Sequence, residues 1–284
     1  MHELFKLVDV DKKNILHFSI LSKDNLIIKS VLDWLKPHRA VLTFLLRGRD
    51  YKGNTPFHLA CQLGRLEELT EEFVGLHSSQ DLLMVNELDQ TPFHVAAKSG
   101  SLRMLKCLHA RDQEKEDIFL INKNDIDQCT PLHLAAMNTV IFHHQSLLSH
   151  VVVQKPDSVE YLLSAGADPK SLNSYGQNPL CSAAKEYIQP FLYHFYFPNF
   201  DIYLQSGDFA SMKLIVESNR HVDINSVDIN KTTALHIAAR EGHHLIVDYL
   251  LTSGARVTMK DYKNRTPLEM AIDKEKKYEG LFEL

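Results

Sequence analysis

The stretch TTALHIAAREGHHLIVDYLL, residues 232–251, holds two short helices and the means of ending each. Thr233 stands just ahead of a helical run, where its side-chain oxygen can accept a hydrogen bond from an N–H of the first turn. Leu235, Ala238 and Ala239 then share one face at helical spacing. Gly242 follows, as a helix end prefers. HLIVDYLLTSGA, 244–255, gives a second helix with Ile246, Val247, Leu250 and Leu251 apolar and Gly254 at its end. RVTMKDYKNRTP, 256–267, supplies a polar hairpin into the next block.

The block recurs along the chain. NTPFHLACQLGRLEEL (54–69), QTPFHVAAKSGSLRML (90–105), CTPLHLAAMNT (129–139), QNPLCSAAK (177–185) and RTPLEMAI (265–272) share its pattern, and NILHFSI (14–20) is a weaker copy. The capping residues Thr55, Thr91, Thr130, Asn178, Thr233 and Thr266 are spaced 36, 39, 48, 55 and 33 apart. Where Thr precedes Pro, the hydroxyl caps a helix whose first turn holds the proline, which needs no N–H there. Small alanines let neighbouring blocks approach closely. No block can bury its apolar face alone, so stability must come from interfaces between neighbours.

A T-P-L-H-x-A-A block at a period of about 33 residues resembles the ankyrin repeat, and the resemblance covers nearly the whole chain. It implies an all-α solenoid of helix-turn-helix units with short β-hairpin connections, a single array of about seven units over 1–284. It also implies a concave side made by hairpin tips and first helices, with another protein as partner. His17, His58, His94, His133 and His236 recur one per repeat, too dispersed for a metal or acid/base set. The resemblance gives them a structural role, an imidazole bridging backbone groups between hairpin and helix. Cys181 and Glu269 replace this histidine in two repeats, which predicts weaker anchoring of the hairpins there.

The tip residues expected to meet a partner follow each aligned Asp or Asn. They are Tyr51, Lys52, Leu88, Ile126, Tyr175, Ile229, Tyr262 and Lys263. Interfaces favour aromatic anchors, so Tyr51, Tyr175 and Tyr262 lead the set; against this, single apolar residues are ordinary on any surface.

Two segments break the period. VIFHHQSLLSHVVVQ (140–154) adds 15 residues between the helices of one repeat, and EYIQPFLYHFYFPNFDIYLQ (186–205) adds 20 to the next. Removing either restores register. Three readings follow: loops between helices that carry contacts, extra helix packed on the array, or retained introns, since both segments end in Gln, whose codon suits a splice acceptor. His143, His144 and His150 lack a carboxylate or cysteine at ligand spacing, so no metal is expected. Milder irregularities are KPHRAVLTFLLRGRD (36–50), expected to add a turn or continue the second helix, and RDQEKEDIFLINKND (111–125), expected to lengthen a hairpin.

Composition narrows the function. The chain has 284 residues, 24% charged and 44% hydrophobic, with net charge −5, so no basic field points to nucleic acid. Four scattered cysteines fit neither a disulfide framework nor a zinc site and suit a reducing, cytoplasmic setting. The N-terminal stretch lacks the pattern of a signal peptide, and no apolar run is long enough to span a bilayer. Phosphate-loop, dinucleotide, zinc-protease and serine-hydrolase motifs are absent, so neither enzymatic activity nor a cofactor is expected. TALHIAAREGHHLIVDYLL followed by DYKNRTPLEMAI is also similar to the cytoplasmic repeats of transient receptor potential ankyrin-type channels. That resemblance implies a fragment of a channel whose membrane part lies C-terminal to the repeats; both ends of the chain read as cut inside a unit.

Overall fold

The computed structural model describes residues 8–22, 24–64, 70–113, 120–137, 139–142, 151–154, 156–184, 209–218 and 222–273. The chain divides into two compact halves, Met1–Asp127 and Gln128–Leu284.

The N-terminal half runs α1 (Ile15–Leu21), α2 (Asn25–Leu35), α3 (Arg39–Leu46), α4 (Pro56–Leu63), α5 (Thr70–Gly75), α6 (Ser79–Leu82), α7 (Pro92–Ser99) and α8 (Leu102–Gln113), then a 3₁₀ turn at Leu120–Asn122. Here α1 packs on α4 and α4 on α7. The C-terminal half runs α9 (Pro131–Ala136), β1 (Thr139–Phe142), β2 (Val151–Gln154), α10 (Pro156–Ser164), α11 (Pro179–Ala184), α12 (Phe209–Glu217), α13 (Ala234–Glu241) and α14 (His244–Thr252), and residues 267–273 are again helical. In this half α9 packs on α11, α11 on α13, and α10 on α12.

Local chemistry sets the first helices. Thr55, Thr91 and Thr233 are extended N-caps whose side chains accept the backbone N–H three residues on, and Gly64, Gly100 and Gly242 end the same helices in the left-handed conformation. Packing sets the rest. In α13 the consecutive residues Ala234, Leu235, His236, Ile237 and Ala238 are all buried. A single amphipathic face does not describe such a helix; both flanks are covered. In α14 Ile246 and Leu250 are buried, whereas Leu251 is exposed.

Each repeat opens with one six-residue turn. Among the described residues it begins at Asp9, Asp50, Asn86, Asp125, Asn173, Asp228 and Asp261. The leading carboxylate or amide oxygen accepts the N–H two residues on, and in most turns also the N–H four on: Asp50 takes Lys52 at 2.9 Å and Asn54 at 2.7 Å, Asp228 takes Asn230 and Thr232 at 2.8 Å. The fourth residue is left-handed every time: Lys12, Gly53, Asp89, Gln128, Gly176, Lys231 and Asn264. A side chain there is strained by roughly 1–2 kcal/mol. Lys231→Gly should therefore raise stability by about 0.5–1 kcal/mol, after the flexibility that glycine gives the unfolded chain; a urea midpoint that stays in place would show no strain at Lys231. At Gly53 the converse holds, since a Cβ would sit 2.9 Å from the Glu87 nitrogen.

Three sequence expectations change. Residues 36–50 neither add a turn nor continue α2. Pro37 follows the end of α2, and α3 forms as a separate helix with Leu42, Leu45 and Leu46 buried. Arg47 pairs with Asp81 at 2.7 Å and Arg49 donates to the Val85 carbonyl at 2.5 Å, tying the segment to the next repeat. The lengthened hairpin begins as helix, since α8 runs to Gln113; the acidic run 114–117 lies outside the described residues. In the first inserted segment the described residues are strands, not helix. β1 and β2 are antiparallel, with Thr139 opposite Gln154 and Phe142 opposite Val151. Facing residues of an antiparallel pair lie about 5 Å apart, so the chain leaves and re-enters the repeat at neighbouring points, and α9 and α10 still pack together. His143, His144, His150 and the whole of 186–205 lie outside the described residues.

Candidate functional site

The turn tips carry the expected contact residues, and the recurring histidines hold those tips in place. The Nε2 of His17 lies 3.0 Å from the Asn54 carbonyl, that of His58 2.9 Å from Gln90, that of His133 2.9 Å from Gln177 and that of His236 3.1 Å from Arg265; His94 reaches Lys123 at 2.9 Å. A carbonyl only accepts, so Nε2 bears the hydrogen. Nδ1 is then bare and accepts the backbone N–H of the cap: Thr55, Thr91, Thr130 and Thr233 donate to it at 3.1–3.3 Å. The neutral ring satisfies both of its own ends and links a helix cap to the next turn, or, for His94, to Lys123 just ahead of that turn. Burial lowers the pKa of His17 and His236 and brings that of His58 down to about 4.

At Cys181 a different link stands where the histidine bridge would be. Asn178 replaces both members of the pair. Its Oδ1 accepts the Cys181 N–H at 3.0 Å, its Nδ2 donates to Ser226 Oγ at 2.8 Å, and Gln177 donates to Asp228 at 3.2 Å. At Glu269 the carboxylate accepts both the N–H and the hydroxyl of Thr266, at 2.7 and 2.9 Å. Cys61 and Cys181 are buried, which drives their thiols far from ionisation, Cys181 up to about 12.

Backbone hydrogen bonds join consecutive tips. In the N-terminal half the Tyr51 N–H donates to Asp11, Glu87 to Lys52 and Ile126 to Leu88; in the C-terminal half Ile229 donates to Tyr175 and Tyr262 to Asn230, all at 2.9–3.1 Å. Tyr51, Lys52, Leu88 and Ile126 thus form one exposed row, and Tyr175, Ile229, Tyr262 and Lys263 another. Lys52 lies 5.3 Å from the centroid of the Tyr51 ring and Lys263 5.4 Å from that of Tyr262, contacts worth about 0.5–1 kcal/mol at exposed sites. One exposed apolar tip residue lies outside that set. Val10, wholly exposed, occupies in the first turn the place of Tyr51; alignment of Asp9 with Asp50 in DVDKKN was the available signal. Among the described residues no three His, Cys, Asp or Glu side chains come together to hold a metal, and no helix is long and apolar enough to cross a membrane.

The ankyrin-repeat family models match residues 127–174, as a single repeat, and 201–283, as three copies. The chain is an ankyrin-repeat protein. Alpha-latroinsectotoxin-Lt1a of Latrodectus tredecimguttatus is 28% identical over 156 residues, 55% of this chain and 8% of the toxin. Mouse NF-kappa-B inhibitor alpha is 28% identical over 153 residues, 52% of this chain and 38% of that protein. An L-asparaginase of Dirofilaria immitis is 38% identical over 82 residues, 28% of this chain and 14% of the enzyme. These matches therefore span well under half of each curated relative.

Proposed function

We propose that this ankyrin-repeat chain is a non-catalytic, cytoplasmic interaction module or scaffold that binds another protein through its turn tips, with 1–284 acting as a single array of about seven units. The observation that carries this reading is the pair of tip rows, in which exposed aromatic and aliphatic side chains stand on backbone fixed by Asx turns, histidine bridges and tip-to-tip hydrogen bonds. Little ordering remains to be done when a partner arrives, which favours affinity. One relative is named as an inhibitor of another protein, which fits a binding role.

The test is affinity capture with the wild type, a Tyr175→Ser/Tyr262→Ser variant, and Lys213→Ser on the outer surface of α12 as control. Each tyrosine is expected to contribute about 2 kcal/mol, roughly 30-fold in affinity. Loss of the captured protein with the tip variant alone supports the reading; equal capture by all three removes it. The alternative, a fragment of a transient receptor potential ankyrin-type channel, rests on the likeness of residues 233–272. It requires several long apolar segments in transcripts read past the codon for Leu284.

A further inference from the structure

The row of tips in the C-terminal half combines apolar anchors with charge of one sign. Each of its tips exposes the second and third residues of the turn: Ser174 and Tyr175, Ile229 and Asn230, Tyr262 and Lys263. One of each pair is aromatic or aliphatic, and Tyr175, Ile229 and Tyr262 are 49, 67 and 59% exposed. The backbone bonds from Ile229 to Tyr175 and from Tyr262 to Asn230 hold them in line. Lys231, the left-handed fourth residue of the middle turn, is exposed as well.

The exposed charges of these turns are Lys231 and Lys263, both positive. The turns also hold two carboxylates, Asp228 and Asp261, but both are buried and consumed locally. Asp228 accepts the N–H groups of Asn230 and Thr232 and the amide of Gln177. Asp261 accepts the N–H groups of Lys263 and Arg265 and pairs with the Arg265 guanidinium at 2.7 Å. Neither lysine has an ion-pair partner among the described residues; Lys263 lies over the Tyr262 ring. In the N-terminal half the same turn positions carry Glu87, Asp89 and Asp127. The turn itself accepts either sign, so the positive charge of the C-terminal row is not a requirement of the fold.

Resting on the reading that the tips bind a protein, we propose that the C-terminal row takes an acidic segment of the partner, whose apolar side chains meet Tyr175, Ile229 and Tyr262 and whose Asp or Glu side chains pair with Lys231 and Lys263. The chain as a whole carries a net charge of −5. An acidic segment is therefore repelled by the molecule's overall field and attracted by this row, which fixes where it docks more than how tightly. Two lysines set among apolar anchors suit discrete carboxylates on a peptide; a lipid surface asks for a cluster of about four to eight cations.

Selection of short random peptides, displayed on phage, against the full chain tests this. Peptides held by the row are those lost with Tyr175→Ser/Tyr262→Ser. They should be enriched in Asp and Glu beside aromatic or aliphatic residues. Made singly, they should bind Lys231→Asp/Lys263→Glu about tenfold more weakly than the wild type, and added salt should weaken the wild type more than this variant. Asp is chosen at 231 because it tolerates the left-handed backbone. Lys29→Glu/Lys213→Glu, which changes net charge equally at exposed sites outside the row, should bind them as the wild type does. Circular dichroism confirms that the variants are folded. Row-dependent peptides with no acidic excess, or with equal affinity for the charge-reversed variant, overturn the acidic assignment and leave the tips as a protein-binding surface. Recovery of no row-dependent peptide overturns both, and row-dependent binding of phosphatidylserine vesicles in its place would assign the row to a lipid surface.

Discussion

Acidification from pH 7 to pH 4 is expected to weaken the folded protein by several kcal/mol, mostly in the N-terminal half. His58 and His77 are buried and neutral, and each has its pKa lowered from 6.5 to about 4. Burial is the main cause for both. The bonds that His58 Nε2 makes to the Gln90 carbonyl and His77 Nδ1 to the Phe73 carbonyl oppose it without cancelling it. Above pH 6.5 both states of the protein carry neutral rings and the histidines contribute no pH dependence. Between pH 6.5 and about 4 the unfolded chain binds protons that the folded chain refuses, so stability falls as pH falls. A difference of about 2.5 units corresponds to roughly 3 kcal/mol for each residue once pH 4 is reached. The lowered pKa values of His17 and His236 act in the same direction. Urea midpoints measured between pH 7 and pH 4 should decline through this window. His77→Phe should flatten the decline, because the ring is held between Phe57 and Phe73 and its Nε2 has no hydrogen-bond partner among the described residues. A slope that His77→Phe leaves unchanged would show that His77 is not a source of the acid sensitivity.

Phe57→Ala is expected to cost about 3–5 kcal/mol, the range for removing a large side chain from a packed core. Phe57 is buried, its ring stacks on His77 at 4.0 Å with planes 18° apart, and it meets Phe73 edge-on at 5.9 Å. The loss should be local. Repeats are stabilised by their neighbours, so amide exchange should accelerate across α4 to α7 while α13 and α14 keep their protection. The same substitution opens space beside His77 and should let its pKa rise toward 6.5, which a titration followed by NMR would read. A uniform loss of protection over both halves would mean that the chain unfolds as one cooperative block.

Much of this protein was legible in its sequence because its local structure is built from bonds spanning six residues or fewer. The Asx oxygen, the left-handed fourth residue, the Thr cap, the proline at the first helical position and the terminal glycine each act within one turn, so TPLHLAA blocks sufficed to place the helices and the tips. The histidine bridges were legible as a role implied by family resemblance, though not their acceptors, which lie 29 to 44 residues away.

Tertiary structure decided what no local bond encodes. The inserted segment 140–154 keeps its repeat intact because antiparallel pairing of Thr139 with Gln154 closes the excursion on itself. Residues 36–50 became a separate helix because Leu42, Leu45 and Leu46 found a core to enter. Asn178 could replace a Thr–His pair because Ser226, 48 residues on, stands within reach of its amide. Most plainly, Phe18 and Leu268 occupy helix positions that correspond to Leu59 and Phe57, yet they are exposed where Leu59 and Phe57 are buried. A helix flank is apolar by sequence, but it becomes core only when a neighbouring repeat covers it.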